Sequence, residues 1–253
     1  MSAITPVYPV HSPAFTPAHA TAAAIERPWR FWSTLGWLAA AYAVMLEASH
    51  VLSGVQTSLP DLDPSVLGHL RWMVPMLAAT LFLLLVAHWR GPSARAYLGL
   101  AWPRWHHILI AFAVLAALGL SIAGLGSASP RLYSPAEQQL ITQYRAMGSV
   151  TAVVLYWIVL VVIAPVTEEI IFRGFLQHGW SESRIDTAHA IFLSTLVFAF
   201  MHAHYGVLGM AMVFVSALTF SVARWYTGST LLAIMMHAGW NLNCGIQIAA
   251  RAA

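Results

Sequence analysis

Thr167-Glu168-Glu169-Ile170-Ile171-Phe172-Arg173 places two adjacent carboxylates and an arginine inside a stretch that is otherwise apolar. An ionisable side chain at membrane depth is costly, so it is usually paired, faces a cavity and has a function. On an α-helix Glu169 and Arg173 share one face, which predicts a salt bridge between them. Glu168 is rotated by roughly 100° from Glu169, so the pattern leaves Glu168 free for chemistry.

The composition of the whole chain is that of a membrane protein. The 253 residues are 59% hydrophobic and 8% charged, whereas soluble domains carry about 25% charged residues. We therefore predict an all-α, polytopic transmembrane bundle with about seven to eight spans. All basic side chains are arginines, which lie mostly between apolar segments and indicate membrane topology and anionic headgroups rather than nucleic acid. The single cysteine, Cys244, excludes an internal disulfide.

The chain divides into three predicted regions. Residues 1–26 are rich in Ala, Pro and Thr and are expected to form a flexible N-terminal tail. Residues 27–148 hold the first transmembrane spans, and residues 149–253 form the predicted catalytic helical core. Within 126–148 we expect an interfacial amphipathic helix beginning near Pro135. Seven segments have the apolar length that a bilayer requires: Phe31–Leu52, Trp72–Trp89, His107–Leu125, Val150–Gly179, Ala188–His204, Val207–Ala223 and Leu231–Ile248.

The arginines predict how these spans cross the bilayer, because arginine-rich segments tend to remain cytoplasmic. The amino end, the 90–104 loop, the 181–186 loop and Arg224 are expected inside, and the loop that carries Asp61 and Asp63 outside. The carboxyl end is then expected outside. In this arrangement Glu168 lies towards the cytoplasmic end of its span and His202 towards the outer end of its own, so the depth of a common site stays open.

Two further polar patterns interrupt apolar spans, namely Phe198-x-x-x-His202 and His237-x-x-x-Asn241. Separate helices that each present a polar side chain at membrane depth are tolerated best when those side chains converge. A desolvated carboxylate is a stronger base than one in water, so Glu168 with His202 can hold and deprotonate a water molecule. His237 and Asn241 can donate hydrogen bonds to the oxyanion that develops on an attacked carbonyl. The set predicts amide hydrolysis.

In this order and spacing, the three motifs resemble the signature of the CPBP (also called ABI) intramembrane protease family. That family includes CAAX prenyl endopeptidases and proteins of bacteriocin processing or immunity. The resemblance covers roughly residues 150–245 and is carried by Glu168-Glu169-x-x-x-Arg173, Phe198-x-x-x-His202 and His237-x-x-x-Asn241. It implies an endopeptidase whose active site lies inside the membrane and whose substrate is a membrane-associated protein or peptide.

Carried over motif by motif, the resemblance also implies a role for each residue. Glu168 is the expected catalytic base, and His202 helps to activate the water molecule. His237 and Asn241 are the expected oxyanion-stabilising pair. The structural side chains are Glu169, Arg173 and Phe198.

Two alternatives to this glutamate-type mechanism remain open. A zinc-dependent membrane metalloprotease would use Glu168, His202 and His237 as ligands. Glu169 or a water molecule would then have to act as the base, although Glu169 is expected to pair with Arg173. We favour no cofactor. The alternative from another class is a non-catalytic immunity or binding protein of the membrane, because such proteins can share these motifs.

The expected partners are the lipid bilayer and a membrane-associated substrate, with no nucleic acid. Arginine without lysine suits a high-GC genome, so we expect a multi-pass protein of the bacterial inner membrane. A bacterial peptide, a leader-bearing precursor or a membrane-anchored tail is then a more probable substrate than a prenylated CAAX protein.

Overall fold

The computed structural model describes residues 31–56, 63–90, 93–128, 135–183 and 185–253, and these residues are almost entirely helical with no strand. The predicted all-α bundle is therefore confirmed. The predicted tail, Asp61 and Arg184 lie outside the described residues. In chain order the α-helices are α1 (Phe31–Gln56), α2 (Pro64–Arg90), α3 (Ala94–Tyr97), α4 (Trp105–Ala128), α5 (Pro135–Arg145), α6 (Val150–Ile158), α7 (Ala164–Glu169), α8 (His178–Ser181), α9 (Thr187–Met201), α10 (Gly206–Thr227) and α11 (Thr230–Ala252).

Helices occupy all seven segments that the sequence predicts as spans, but they differ in length and apolarity. Five of the described helical stretches are long and apolar enough to cross a bilayer: Phe31–Val55, Pro64–Trp89, Trp105–Ile122, Val150–Ser181 and Ala203–Thr227. The apolar helix α9 is shorter, at 15 residues, and it ends before the predicted boundary at His204. The 23-residue helix α11 carries Asn241, Asn243 and Gln247 among its apolar residues. The expected amphipathic helix is present as α5.

The stretch Val150–Ser181, here called the central helix, carries the two glutamates. Ser149 caps its start, because its Oγ accepts a hydrogen bond from the backbone N–H of Ala152 at 3.2 Å. Pro165 does not end the helix. Instead, π-helical turns at Val159–Ile163 and Ile170–Gln177 flank the short α7 segment that contains both carboxylates. Such π turns widen a helix locally and occur frequently at functional sites.

One end of the bundle, here called the Arg224 end, gathers the start of α1, the turn after α3 and the connection between α10 and α11. Thr230 donates its backbone N–H to the carbonyl oxygen of Gly99 at 2.8 Å, and the ring of Phe31 stacks on that of Trp180 with centroids 5.0 Å apart. Gly99 has φ +64°, and a Cβ there would lie 2.8 Å from the carbonyl oxygen of Gly228, so a side chain would not fit. The segments expected on the cytoplasmic side thus share one end.

The opposite end, here called the Asp63 end, gathers the start of α2, the start of the central helix, α5 and the carboxyl end of α11. Ser149 Oγ donates to Asp63 Oδ2 at 2.5 Å. Arg145 Nη2 donates to the carbonyl oxygen of Arg251 at 2.7 Å, which attaches α5 to the end of α11. Helix α4 packs closely against α11, since a Cβ on Gly239 would lie 2.7 Å from Phe112 Cε1. The small residue at position 239 permits that approach.

We predict that Ser149→Ala lowers the stability of the protein, because it removes both the cap of α6 and the hydrogen bond to Asp63. Loss of a serine cap costs about 1 kcal/mol, and Ser149→Thr should retain most of the stability because threonine keeps the hydroxyl group. Thermal unfolding of the purified proteins in detergent measures the difference. Equal unfolding temperatures for Ser149→Ala and the unmutated protein would contradict the prediction.

The contribution of Asp63 should depend on pH. The hydrogen bond from Ser149 holds the pKa of Asp63 below its ordinary value of 3.8. A carboxylate whose pKa is lowered on folding stabilises the folded state fully above its unfolded pKa, and this contribution is lost as the pH falls through the folded pKa. The stability difference between Ser149→Ala and the unmutated protein should therefore narrow below pH 3.8 and stay constant between pH 5 and 7.

Candidate active site

A buried ion pair within the central helix forms the base of the site. Arg173 Nη1 donates to Glu169 Oε1 at 2.8 Å, and these side chains are 1% and 0% exposed. The guanidinium also binds α10, because Nη2 donates to the carbonyl oxygen of Ala217 at 2.8 Å and Nε donates to Ser221 Oγ at 3.2 Å. Arg173 therefore has an acceptor for each of its three nitrogens, which a buried charge requires.

Two aromatic rings cover this ion pair on the side that faces the histidines. The guanidinium carbon of Arg173 lies 4.7 Å from the ring centroid of Phe198 and 5.7 Å from that of Phe220. Phe220 also stacks on the imidazole of His237 at 5.3 Å, and Phe198 lies 4.6 Å from the ring of His202. The aromatic rings thus fix the positions of both histidines relative to the arginine.

His237 connects the two glutamates. Its Nδ1 lies 2.8 Å from Glu169 Oε1, the oxygen that also accepts from Arg173, and its Nε2 lies 3.9 Å from Glu168 Oε2. Since Glu169 Oε1 acts as an acceptor towards both neighbours, Nδ1 of His237 carries the hydrogen. The second ring nitrogen of His237, Nε2, is therefore the one that points towards Glu168.

The short helix α9 brings His202 to the depth of Glu168. Glu168 lies 13 residues before the end of the central helix at Ser181, a rise of about 20 Å. His202 lies 15 residues after the start of α9 at Thr187, a rise of about 22 Å. Both helices meet at the Arg224 end, so the two side chains lie at similar distances from it. The difference in depth that the sequence suggests arises because the central helix, with 32 residues, is about twice as long as the 15-residue α9, so Glu168 lies far from the start of its helix while His202 lies at the end of its own.

His202 caps α9 and is held by the helix that it ends. Its Nδ1 lies 2.8 Å from the carbonyl oxygen of Phe198, which can only accept, so Nδ1 carries the hydrogen. The other nitrogen, Nε2, is then an acceptor in the neutral ring. His202 is half-buried and lines the same cavity as Glu168 and His237.

Asn241 occupies a position that the π turn of the central helix creates. Ala164 donates its backbone N–H to the carbonyl oxygen of Val159, five residues back. The next residue, Pro165, has no N–H to donate to the carbonyl oxygen of Leu160. Asn241 Nδ2 supplies the missing hydrogen bond at 2.9 Å, and a backbone carbonyl at membrane depth needs such a partner. One amide hydrogen of Asn241 is therefore engaged, and the second is the one left for a substrate.

A cavity of about 970 Å³ contains all four candidate catalytic residues, Glu168, His202, His237 and Asn241, on its wall. Phe198 lines it as well, whereas Glu169 and Arg173 lie behind the wall. Within the described part of the chain, no three His, Cys, Asp or Glu side chains are arranged to hold a metal ion. The four candidate residues thus present one carboxylate, two imidazoles and one amide to a shared space.

Several contributors to the site carry no signal in the sequence. Ser221 and Thr195 form a 3.0 Å hydroxyl contact beneath Arg173, and Ala217 contributes only its backbone carbonyl. Leu160 also acts through its carbonyl oxygen. Tyr205 lines the cavity directly after the turn that follows His202. Small hydroxyl residues in apolar helices indicate a buried polar partner, but they do not indicate which one.

Residues 150–243 match the sequence model of the family described as Rce1-like, type II CAAX prenyl endopeptidase. The matched region contains all three motifs, and it confirms the resemblance to the CPBP family that these motifs suggest. The family supports, in general terms, a CAAX-type intramembrane protease, an integral membrane protein that acts on a membrane-associated substrate. No curated protein and no solved structure gives a significant match to the chain.

We predict that Arg173→Ala destabilises the protein by about 3–5 kcal/mol, because it leaves the carboxylate of Glu169 buried without its cation. Arg104→Ala is the matched control, since Arg104 is an exposed arginine in a connecting loop and its loss should change stability by about 0.5 kcal/mol or less. The fraction of monodisperse protein after detergent extraction and the unfolding midpoint report the effect. Similar losses in both variants would contradict the role given to the buried pair.

Proposed function

We propose that the protein is an intramembrane endopeptidase of the bacterial inner membrane that hydrolyses a peptide bond by a glutamate-type mechanism. Residues 149–253 form its catalytic core, and no cofactor takes part. One observation carries the proposal. Of two adjacent buried glutamates, Glu169 binds both Arg173 and His237 through Oε1 and lies behind the cavity wall, whereas Glu168 lines the cavity.

In this mechanism Glu168 is the general base. Its Oε2 and Nε2 of His237 are separated by 3.9 Å, a distance that one water molecule can bridge through two hydrogen bonds. The oxygen of that water attacks the carbonyl carbon of the scissile bond, and its proton passes to Glu168. Glu168 then returns the proton to the leaving amide nitrogen as the carbon–nitrogen bond breaks. The half-buried imidazole of His202 accepts a second hydrogen bond from the water and orients it.

In the proposed mechanism His237 and Asn241 stabilise the oxyanion. His237 donates from Nε2 in its protonated form, and the carboxylate of Glu169 at Nδ1 stabilises the positive charge of that form. Asn241 donates its second amide hydrogen, while the first stays on the carbonyl oxygen of Leu160. Because both donors are held before substrate binds, their hydrogen bonds strengthen in the transition state without reorganisation.

Glu168→Gln should abolish cleavage while the protein still folds, because the amide has nearly the shape of the carboxylate but cannot take the proton. Loss of a general base reduces the rate by about 100-fold or more. The unmutated protein and the variant are purified in detergent, incubated with membrane proteins of the source organism, and compared by mass spectrometry. Fragments made equally by both would refute the assignment. Absence of fragments from either, with both folded, would favour an immunity or binding protein instead.

Asn241→Ala should reduce kcat/KM by roughly 100-fold, the equivalent of about 3 kcal/mol for one oxyanion donor. It should also lower stability, because the carbonyl oxygen of Leu160 loses its partner. Replacing Pro165 by alanine in the same protein restores a backbone N–H next to that carbonyl. The double variant Asn241→Ala/Pro165→Ala should therefore recover stability without recovering activity. Recovery of both would show that Asn241 acts only through the backbone of the central helix.

The zinc-dependent alternative makes a distinct prediction. It requires Glu168, His202 and His237 as ligands and either Glu169 or a water molecule as base, and Glu169 already accepts hydrogen bonds from Arg173 and His237 on one oxygen. We expect elemental analysis of the purified protein to find no stoichiometric zinc and chelators to leave cleavage unchanged. Stoichiometric zinc together with chelator-sensitive cleavage would overturn the glutamate-type mechanism.

A further inference from the structure

The cavity reaches only one end of the bundle. From the four candidate catalytic residues it extends to the first turns of α2, to α5, to the turn after His202 and to the last turns of α11, all at the Asp63 end. The lining residues that mark this path are Ser65, His69, Gln143, His204, Gln247 and Arg251. Within the described ranges, no lining residue comes from the connections at the Arg224 end. The cavity that holds Glu168 therefore extends towards the Asp63 end.

The arginines are distributed unequally between the two ends. Those that lie at the Arg224 end, or adjoin it in sequence, are Arg27, Arg30, Arg90, Arg95, Arg104, Arg184 and Arg224. Fewer arginines lie at the Asp63 end or adjoin it in sequence: Arg71, Arg145 and Arg251 within the described residues, and Arg131 in the segment that precedes α5. All connections between the helices are short, which is the condition under which arginine bias sets orientation, and acidic residues contribute little to it. The bias places the Arg224 end in the cytoplasm.

We propose that the active-site cavity opens to the extracytoplasmic face of the membrane, and that the substrate is a protein segment exposed on that face beside the bilayer. The part of this inference that concerns the substrate rests on the proposed proteolytic function. The part that concerns the orientation of the cavity does not depend on that function. A carboxyl-terminal tail in the cytoplasm would lie on the wrong side of the membrane.

The wall of the cavity near the Asp63 end fits such a segment. Polar side chains that can bind an extended backbone, such as Gln143, Asn243 and Gln247, alternate with apolar ones such as Trp72 and Leu140. A substrate that leaves a membrane anchor presents both apolar side chains and unpaired backbone groups to this wall. Helix α5, which is the least apolar of the described long helices, forms part of the opening.

The single native cysteine makes the orientation directly measurable. In a Cys244→Ser background, one cysteine is introduced at a time by Ala96→Cys at the Arg224 end, Ala250→Cys at the Asp63 end, or Asn243→Cys in the cavity. Ala96 and Ala250 are both exposed alanines and form a matched pair. Cells that express the full-length protein are treated with a membrane-impermeant maleimide before and after the membrane is made permeable. Monodisperse protein after detergent extraction identifies variants that fold, and Gln247→Cys replaces Asn243→Cys if the latter does not.

We expect Ala250→Cys and Asn243→Cys to react in intact cells and Ala96→Cys to react only after permeabilisation. Reaction of Ala96→Cys in intact cells, with Ala250→Cys protected, would overturn the orientation. If Ala250→Cys reacts in intact cells but the cavity cysteine is protected until permeabilisation, the cavity does not open at the Asp63 end. These outcomes are independent of proteolysis, so they stand whether or not Glu168→Gln alters cleavage.

The substrate class is tested in living cells, where the two faces of the membrane remain separate. Membrane proteins from cells that express the unmutated protein and from cells that express Glu168→Gln are compared by sequencing their new chain ends. We expect the bonds cut only by the unmutated protein to lie in extracytoplasmic segments next to a transmembrane span. Cuts confined to cytoplasmic tails would refute the inference while leaving the proteolytic function intact. An identical set of chain ends in both would refute both.

Discussion

The buried guanidinium of Arg173 is the interaction on which the arrangement of the site depends. A charge this far from water is tolerated only when each of its hydrogen-bonding groups is satisfied. Glu169, Ser221 and the carbonyl oxygen of Ala217 satisfy it, and Phe198 and Phe220 cover its faces. These contacts join the central helix to α9 and α10, so the positions of the cavity-lining residues follow from them.

The contacts that satisfy the charge of Arg173 also determine the roles of the neighbouring residues. Glu169 is engaged by Arg173 and by His237, which orients the imidazole and directs its second nitrogen at Glu168. Glu168, one residue earlier, projects into the cavity instead. Two identical side chains thus receive different roles from their surroundings: one neutralises a cation and orients a histidine, and the other is available to a water molecule.

Much of the fold and of the candidate site could be predicted from the sequence, because the patterns that indicate them lie within single helices. The four-residue spacing of Glu169 and Arg173 predicts their ion pair, and polar residues within apolar spans indicate which helices converge. The contact between Glu169 and His237 could not be predicted, since it joins residues 68 positions apart and no spacing rule describes it. The π turns beside Pro165 also escape detection. No residue pattern marks them, and the first of them leaves free the carbonyl oxygen of Leu160 that Asn241 binds.

The most direct test of the account is a comparison of two isosteric variants, Glu168→Gln and Glu169→Gln, with stability and cleavage measured on the same purified samples. The account predicts opposite behaviour. Glu168→Gln should unfold at the temperature of the unmutated protein and cleave nothing, whereas Glu169→Gln should be markedly less stable, because Arg173 is left without a counter-ion. If Glu169→Gln folds normally and loses only cleavage, or if Glu168→Gln is the unstable variant, the division of roles between the two glutamates is wrong.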